Sequence, residues 1–328
     1  MVETALNRIK DLIDKAKRIA VVPHCRPDGD AVGALIALSL LLQRLGKTVE
    51  VLSPSEPSER YAFLSGFDLI EVTGSCSKEV ELVIFVDCTD KDRCLPWQLP
   101  ESFTGSVINI DHHADNSFFG DVDLVLPQAS STGEVLVPLW EVFGQTLTPA
   151  EASALYVSLL TDTGSFHFSN TSPATLSSAA SLVAAGADPH ELTYRLFELT
   201  NYDKTKLLGL VLATLECTPS REIAWVKVTA EMFEQTNTTA AVVEDFVNYV
   251  SRIQEVKIAL LFREEEPQST KISIRTVEGI EANKIARLFD GGGHKVAAGC
   301  RLKTPLEQSI TRVLAACEEE LTAVGRDN

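Results

Sequence analysis

The chain has 328 residues, 45% of them hydrophobic, and its 46 acidic and 29 basic side chains leave a formal charge of −17. That content is enough for one large or two ordinary domains with real cores, and it excludes a disordered chain. So large an acidic excess excludes a grip on long nucleic acid through bulk electrostatics, although a short anion held by metal ions and a few local donors stays compatible with it.

In chain order, residues 4–17 set Leu6, Ile9, Leu12, Ile13 and Ala16 on one stripe and predict a helix that covers a sheet edge or face. Ile19 to Pro23 reads as a buried parallel strand and Ala31 to Leu45 as the helix behind it. Between them His24, Asp28 and Asp30 fall at the carboxyl end of the strand, where open α/β sheets bind ligands. Imidazole beside hard carboxylate oxygens suits manganese, iron or zinc better than calcium. Taken alone, Pro27-Asp28-Gly29-Asp30 is also what a tight turn with Asp30 as N-cap looks like.

Further strands are expected at Lys47 to Leu52, Asp68 to Val72, Glu81 to Asp87, Ser106 to Asp111 and Val122 to Leu126, with a short helix within Pro54 to Leu64. Two of these end in an acid, Asp87 and Asp111, and the second runs on into His112 and His113. Helices follow at Ser131 to Phe143, Ala150 to Thr161, Ser172 to Ala185 and Asp188 to about Leu199. Beyond the helix Tyr202 to Glu216, strands at Glu222 to Thr229, Glu255 to Arg263, Lys271 to Arg275 and Ala297 to Leu302 alternate with helices at Ala240 to Arg252, Glu281 to Phe289 and Pro305 to Val324.

The fold class is α/β: an N-terminal, mostly parallel sheet with helices on both faces, then a smaller C-terminal α/β domain. The expected boundaries are 1–186, a helical connector 187–217 and 218–328, with a ligand groove between the domains. Seven cysteines without C-x-x-C spacing predict free thiols in a reducing, cytoplasmic compartment. No run approaches about 18 apolar residues, so no membrane span is expected.

His24, Asp28, Asp30, Asp87, His112 and Asp162 form the candidate metal set, with Asp111 and His113 beside them. Four carboxylates on one sheet edge repel strongly unless cations neutralise them, which argues for two metals about 3.5 to 4 Å apart. Asp87, alone at a strand tip, is the expected bridge. Farther on, Gly291-Gly292-Gly293-His294 reads as a packed loop whose N–H groups converge on an anion, with Arg275 as a bidentate phosphate ligand and Asn283 or Lys284 within reach.

The ordered set His24 with Pro27-Asp28-Gly29-Asp30-Ala31, Val86-Asp87, Asp111-His112-His113 and Asp162 in LLTDTG resembles the four motifs of the DHH phosphoesterases. Gly291 to Lys295, continuing as VAAGC, resembles the signature of a DHHA1-type C-terminal domain. The GGGHK motif and the segment Ala129 to Glu134, which contains Ser131, are similar to those of the group acting on oligoribonucleotides and 3′-phosphoadenosine 5′-phosphate. Pro23 and Cys25 depart from the common pattern around His24 without removing a ligand.

The resemblance implies that His24 and Asp28 bind one Mn2+, Asp30, His112 and Asp162 a second, and Asp87 both, with Mg2+ or Co2+ as substitutes. It makes Asp87, Asp111 and His113 catalytic: Asp111 orients a ligand, and His113 faces the scissile phosphate and assists as a proton donor. His113, Ser131, Arg275, Asn283, Gly291, Gly292, Gly293 and His294 would meet substrate. Implied substrates are RNA of about two to five nucleotides and 3′-phosphoadenosine 5′-phosphate, handled by a homodimer without long duplex or membrane as partner. Linear or cyclic dinucleotides are the alternative substrates. A nucleotide-sensing module without turnover is the alternative of another class, against which the intact ligand set counts.

Overall fold

The computed structural model describes residues 2–243 and 245–326, which divide into two compact units, Met1–Leu199 and Thr200–Asn328. In the first, helix α1 (Val2–Lys15) leads into strand β1 (Arg18–Val22), helix α2 (Gly29–Arg44) and strands β2 (Thr48–Ser53), β3 (Glu71–Val72), β4 (Leu82–Val86), β5 (Ser106–Asp111) and β6 (Val122–Val125). The six strands form one parallel sheet in the order β3-β2-β1-β4-β5-β6. The order turns back on itself at β1 and β4, the two strands whose carboxyl ends carry His24 and Asp87, as ligand crevices in open sheets require.

Alternation along the strands separates two cores. Ile19, Val21, Ile84, Val86, Ile108 and Ile110 pack under α1, α2 and the helices after β6. Those are α3 (Thr132–Leu136), α4 (Pro138–Val142), α5 (Pro149–Asp162), α6 (Pro173–Ala184) and α7 (Pro189–Thr193). Ala20, Val22, Val83 and Phe85 face the other way, against Cys94 in the 3-10 turn Lys91–Cys94 and Trp97 in the loop beyond it. Helix α2 is buried nearly all round because it lies on the sheet and is covered by α5. Glycine makes that approach possible: a Cβ at Gly29 would lie 2.3 Å from the Thr161 side chain, and one at Gly33 2.3 Å from the Ala154 carbonyl.

The second unit opens with helix α8 (Tyr202–Leu212) and strands β7 (Glu216–Cys217) and β8 (Ile223–Val228), then α9 (Ala230–Thr236), α10 (Val247–Ser251), β9 (Ile258–Glu266) and β10 (Ser269–Thr276). Helix α11 (Ala282–Arg287), strands β11 (Gly292–Gly293) and β12 (Ala297–Leu302), and α12 (Leu306–Arg326) complete it. Its mixed sheet runs β11-β12-β10-β9-β8-β7, with α11 and α12 over one core and α8 and α10 over the other.

Several expectations need correction. The expected helix from Ser131 to Phe143 is two short helices, because Pro138 has no N–H for the carbonyl four residues back. Asp68 to Val72 is a 3-10 turn, Phe67–Leu69, and a two-residue strand. In place of a helix from Ala240 to Arg252 there are a 3-10 turn at Ala240–Val242 and α10, with residue 244 outside the described residues. The expected connector 187–217 is shared out: Leu192 and Leu196 pack into the first unit's core, Leu207 and Val211 into the second's. Among the described residues no helix is long and apolar enough to cross a membrane.

Candidate metal centre

The centre is assembled on the β1 and β4 ends, the start of α2, the loop after β5 and the end of α5. His24 follows β1, and its Nδ1 donates to the Cys25 carbonyl at 2.9 Å, which leaves Nε2 to face Asp87 Oδ2 at 3.4 Å and Asp28 Oδ1 at 4.0 Å. Asp28 also caps α2, accepting from the Asp30 and Ala31 N–H groups. The cap is thus Asp28 and not Asp30, which instead points inward and is fully buried.

Asp30 is held by the start of α3. Thr132 N–H donates to its Oδ2 at 2.7 Å, Gly133 N–H to Oδ1 at 3.1 Å, and Ser158 Oγ adds a short third bond to Oδ1. Gly133 is required here, because a Cβ would lie 2.0 Å from Ser158 Oγ. His112 Nε2 faces Asp162 Oδ2 at 3.2 Å, Asp30 Oδ2 at 3.4 Å and Asp87 Oδ1 at 3.7 Å. Asp87 therefore turns one oxygen to each imidazole, from a backbone held at φ 56°, in the left-handed region. Thr132 Oγ1 donates to its Oδ1 at 3.0 Å.

Asp111 is saturated by protein donors. Its Oδ1 accepts from the His112 N–H and His113 Nδ1, each at 2.8 Å, and its Oδ2 from Asn116 Nδ2 at 2.6 Å. It therefore orients His113, whose ring is partly exposed.

Burial opposes charge on His24 and His112, but the carboxylate of Asp87 beside the first, and those of Asp162, Asp30 and Asp87 beside the second, outweigh it. The imidazoles are held up at about 9 and about 10. Burial, then the fields of Asp87 and Asp162, raise Asp30 well above the ordinary carboxylate range. Burial also pushes Asp87 up, but the bond from His24 and the fields of the histidines leave it below its ordinary value. The hydrogen bond to Asp111 raises His113, with burial acting the other way.

Cations fit this set. His112 Nε2 is buried with no hydrogen-bond partner, and a ring nitrogen left so among three carboxylates is a ligand position. Two groups, His24-Asp28-Asp87 and Asp30-His112-Asp162, each bring their donor atoms within 4.8 Å of one another, and a third joins Asp87, Asp111, His112 and His113. These Asp and His clusters have the capacity to hold divalent metal.

Thr132 and Gly133 fall within the segment Ala129 to Glu134 but carry no assigned role there, and the sequence does not single out Ser158 or Asn116. The signal for Ser158 was a serine in an apolar helix one turn before Asp162. Ser131 needs correcting in the other direction: its side chain is fully buried and its hydroxyl accepts from the Glu134 N–H at 3.1 Å, so it caps α3 and cannot touch substrate.

Arg275, Asn283 and Gly291 to His294 lie together in the second unit. Arg275 is paired across the sheet with Ala297, which exchanges backbone hydrogen bonds with His294. Asn283 Oδ1 is buried without a hydrogen-bond partner. Gly292 and Gly293 form the strand β11 and pair with Gly299 and Ala298, so they are one arm of a tight hairpin and not a loop of convergent N–H groups. Glycine is needed for close packing on β12: a Cβ at Gly291 would lie 2.3 Å from the Gly299 carbonyl, and one at Gly293 2.6 Å from that of Ala297.

The DHH family N-terminal domain matches residues 18–159 and the DHHA1 domain matches 225–323. A bifunctional oligoribonuclease and PAP phosphatase, NrnA, from Thermus thermophilus is 33% identical over 309 residues, covering 94% of this chain and 91% of the relative. The Bacillus subtilis protein of the same name is 28% identical over 85% of this chain and 87% of its own length. An exopolyphosphatase-related protein from Bacteroides fragilis has the same fold, with a TM-score of 0.88 at 22% identity and 98% of each chain covered. With these matches and the clustered ligands on one sheet edge, the chain belongs to the DHH family of phosphoesterases, its N-terminal domain followed by a DHHA1 domain.

Proposed function

We propose that this protein is a manganese-dependent phosphoesterase that hydrolyses very short oligoribonucleotides to mononucleotides and removes the 3′-phosphate of 3′-phosphoadenosine 5′-phosphate. The observation that carries this reading is the buried, unpartnered His112 Nε2 facing three carboxylates, in a chain similar over nearly its whole length to a protein named for those two activities.

In this reading His24 and Asp28 hold one manganese, Asp30, His112 and Asp162 a second, and Asp87 both; magnesium or cobalt would serve as substitutes. Two divalent ions bound there supply Lewis-acid polarisation of the phosphate and activation of water. Asp111 fixes His113 through Nδ1, which leaves Nε2 to carry a proton to the departing ribose oxygen. The raised affinity of this ring for protons keeps it supplied. Arg275 and His294 hold the far phosphate or terminal nucleotide. The scattered cysteines, all free, favour the cytoplasm, and a homodimer is inferred from the resemblance alone.

Purified protein with manganese is offered a 5′-phosphorylated dinucleotide, a cyclic dinucleotide, pyrophosphate and 3′-phosphoadenosine 5′-phosphate. Mononucleotide from the first and inorganic phosphate from the last are expected. Turnover of pyrophosphate alone, or of nothing, would overturn the reading. Loss of Arg275 or His294 should cut efficiency on the dinucleotide about ten- to a hundredfold, and much less on bis-p-nitrophenyl phosphate, which has no second phosphate to grip.

A further inference from the structure

The first unit contains seven arginines. Five are spent within the fold: Arg8 on the Asp121 carbonyl, Arg18 on Glu50, Arg44 on Glu151, Arg60 on the Leu196 carbonyl and Arg195 on Glu191. The guanidiniums of Arg26 and Arg93 have no hydrogen-bond or ion-pair partner among the described residues. Acids are at hand in sequence, Asp28 beside the first and Asp90 and Asp92 beside the second, yet neither side chain is committed to them.

Both arginines sit on the rim of the metal centre. Arg26 lies between His24 and Asp28, and Arg93 lies on the 3-10 turn that follows Asp87. The Cys25 N–H donates to the Arg93 carbonyl at 2.7 Å, which ties the two loops together and brings their backbones side by side. Arg26 is also fixed locally: its backbone is held at φ 58° and its N–H donates to Ser55 Oγ at 2.7 Å. A side chain of this size in the left-handed region persists only where its surroundings over-determine it. Both side chains are exposed. In a chain carrying −17, two uncommitted guanidiniums on joined loops place positive charge beside the centre that no carboxylate is paired with.

Resting on the proposed function, we infer that Arg26 and Arg93 form an anion subsite on the rim of the metal centre that holds the phosphodiester next to the scissile one. A dinucleotide and 3′-phosphoadenosine 5′-phosphate have no phosphodiester at that position; a trinucleotide has one. The pair therefore sets how well chains longer than two nucleotides are used. No bond is made or broken by either arginine.

The test is the ratio of kcat/KM on a 5′-phosphorylated trinucleotide to that on the matching dinucleotide, measured with saturating manganese for wild type, Arg26→Gln, Arg93→Gln and the double variant. Either single change should lower the ratio about three- to tenfold, and both together about ten- to a hundredfold. Arg26→Lys should recover part of the loss. Raising salt from about 50 to about 300 mM should lower the wild-type ratio and leave that of the double variant flat, a response that a structural role does not produce. Bound manganese is measured in each variant; should Arg26→Gln lose metal, Arg93→Gln, which lies outside the ligand loop, decides. A ratio within about twofold of wild type in a metal-replete variant lacking Arg93 overturns the subsite. No turnover of either substrate by wild type would instead bring down the proposed function, and the subsite with it.

Discussion

Adding one methyl group at Gly133 should damage both the fold and the metal centre. In Gly133→Ala the new Cβ would lie 2.0 Å from Ser158 Oγ, 2.6 Å from Ser158 Cβ and 3.3 Å from the Leu155 carbonyl. Helix α5 is buried against α2 along this stretch and cannot move away cheaply, so the serine hydroxyl must turn. Turning it breaks its bond to Asp30 and the 2.9 Å bond it accepts from the Gly133 N–H. One charge-assisted and one ordinary hydrogen bond are worth about 1.5 to 3 and about 0.5 to 1.5 kcal/mol. Moving the helices apart instead costs about 1 to 3 kcal/mol as overpacking. Across the two routes the expected destabilisation is about 1 to 4 kcal/mol. Because Asp30 loses part of its support, manganese affinity should also fall about ten- to a hundredfold. Urea unfolding of the metal-free protein gives the first quantity and calorimetric titration with manganese the second. Ser158→Ala, which removes the hydroxyl without the clash, should show the loss of the charge-assisted bond alone. A Gly133→Ala protein as stable as wild type, binding manganese equally well, would refute the steric argument.

Asp87→Ala removes the carboxylate that faces both imidazoles, so turnover should fall at least about a hundredfold with loss of bound metal; activity retained at saturating manganese would dismiss Asp87 as the bridge. Metal uptake should release protons at neutral pH and tighten as pH rises, because the His24 and His112 imidazoles, with values of about 9 and about 10, must give up Nε2 protons; a pH-independent affinity would contradict this. For the metal-free protein the sign is opposite: the raised values stabilise the fold fully below the ordinary imidazole range, and that contribution is lost as pH passes through about 9 and 10, so urea midpoints should drop across that interval. In the hairpin of the second unit, Gly292→Ala meets no atom within 4 Å and should leave thermal stability nearly unaltered, whereas Gly293→Ala, at φ 140° and 2.6 Å from the Ala297 carbonyl, should lower it clearly; equal midpoints would argue that the strand pairing does not form.

Much of this molecule was legible along the chain, where the signal was local. An apolar β-branched run ending in an acid or histidine marks a buried parallel strand with a ligand at its tip, and that pattern located His24, Asp87 and Asp111 to His113 before any contact was known. Strand Ser106–Asp111 came out to the residue, because its boundaries coincide with a change in side-chain polarity. The break at Pro138 was legible in principle, since proline's missing N–H is a property of one residue.

What only the tertiary structure decided involves partners far apart in sequence. That Asp30 is gripped by the start of α3 and by Ser158 depends on contacts more than a hundred residues away, and nothing near Asp30 announces them. Ser131 shows the converse: a polar residue in a matching motif reads as a ligand until burial reveals it as a cap. The glycines of GGGH likewise needed the structure, because flexibility for an anion and clearance for a neighbouring strand call for the same residue. The sequence by itself determined which side chains are candidate metal ligands and the order in which they arrive, since those are matters of residue type and local period. The chain's packing decided which carboxylates share a nitrogen, which are saturated by protein donors and which arginines are left without a partner, because each is a distance that exists only after the sheet and helices have closed on one another.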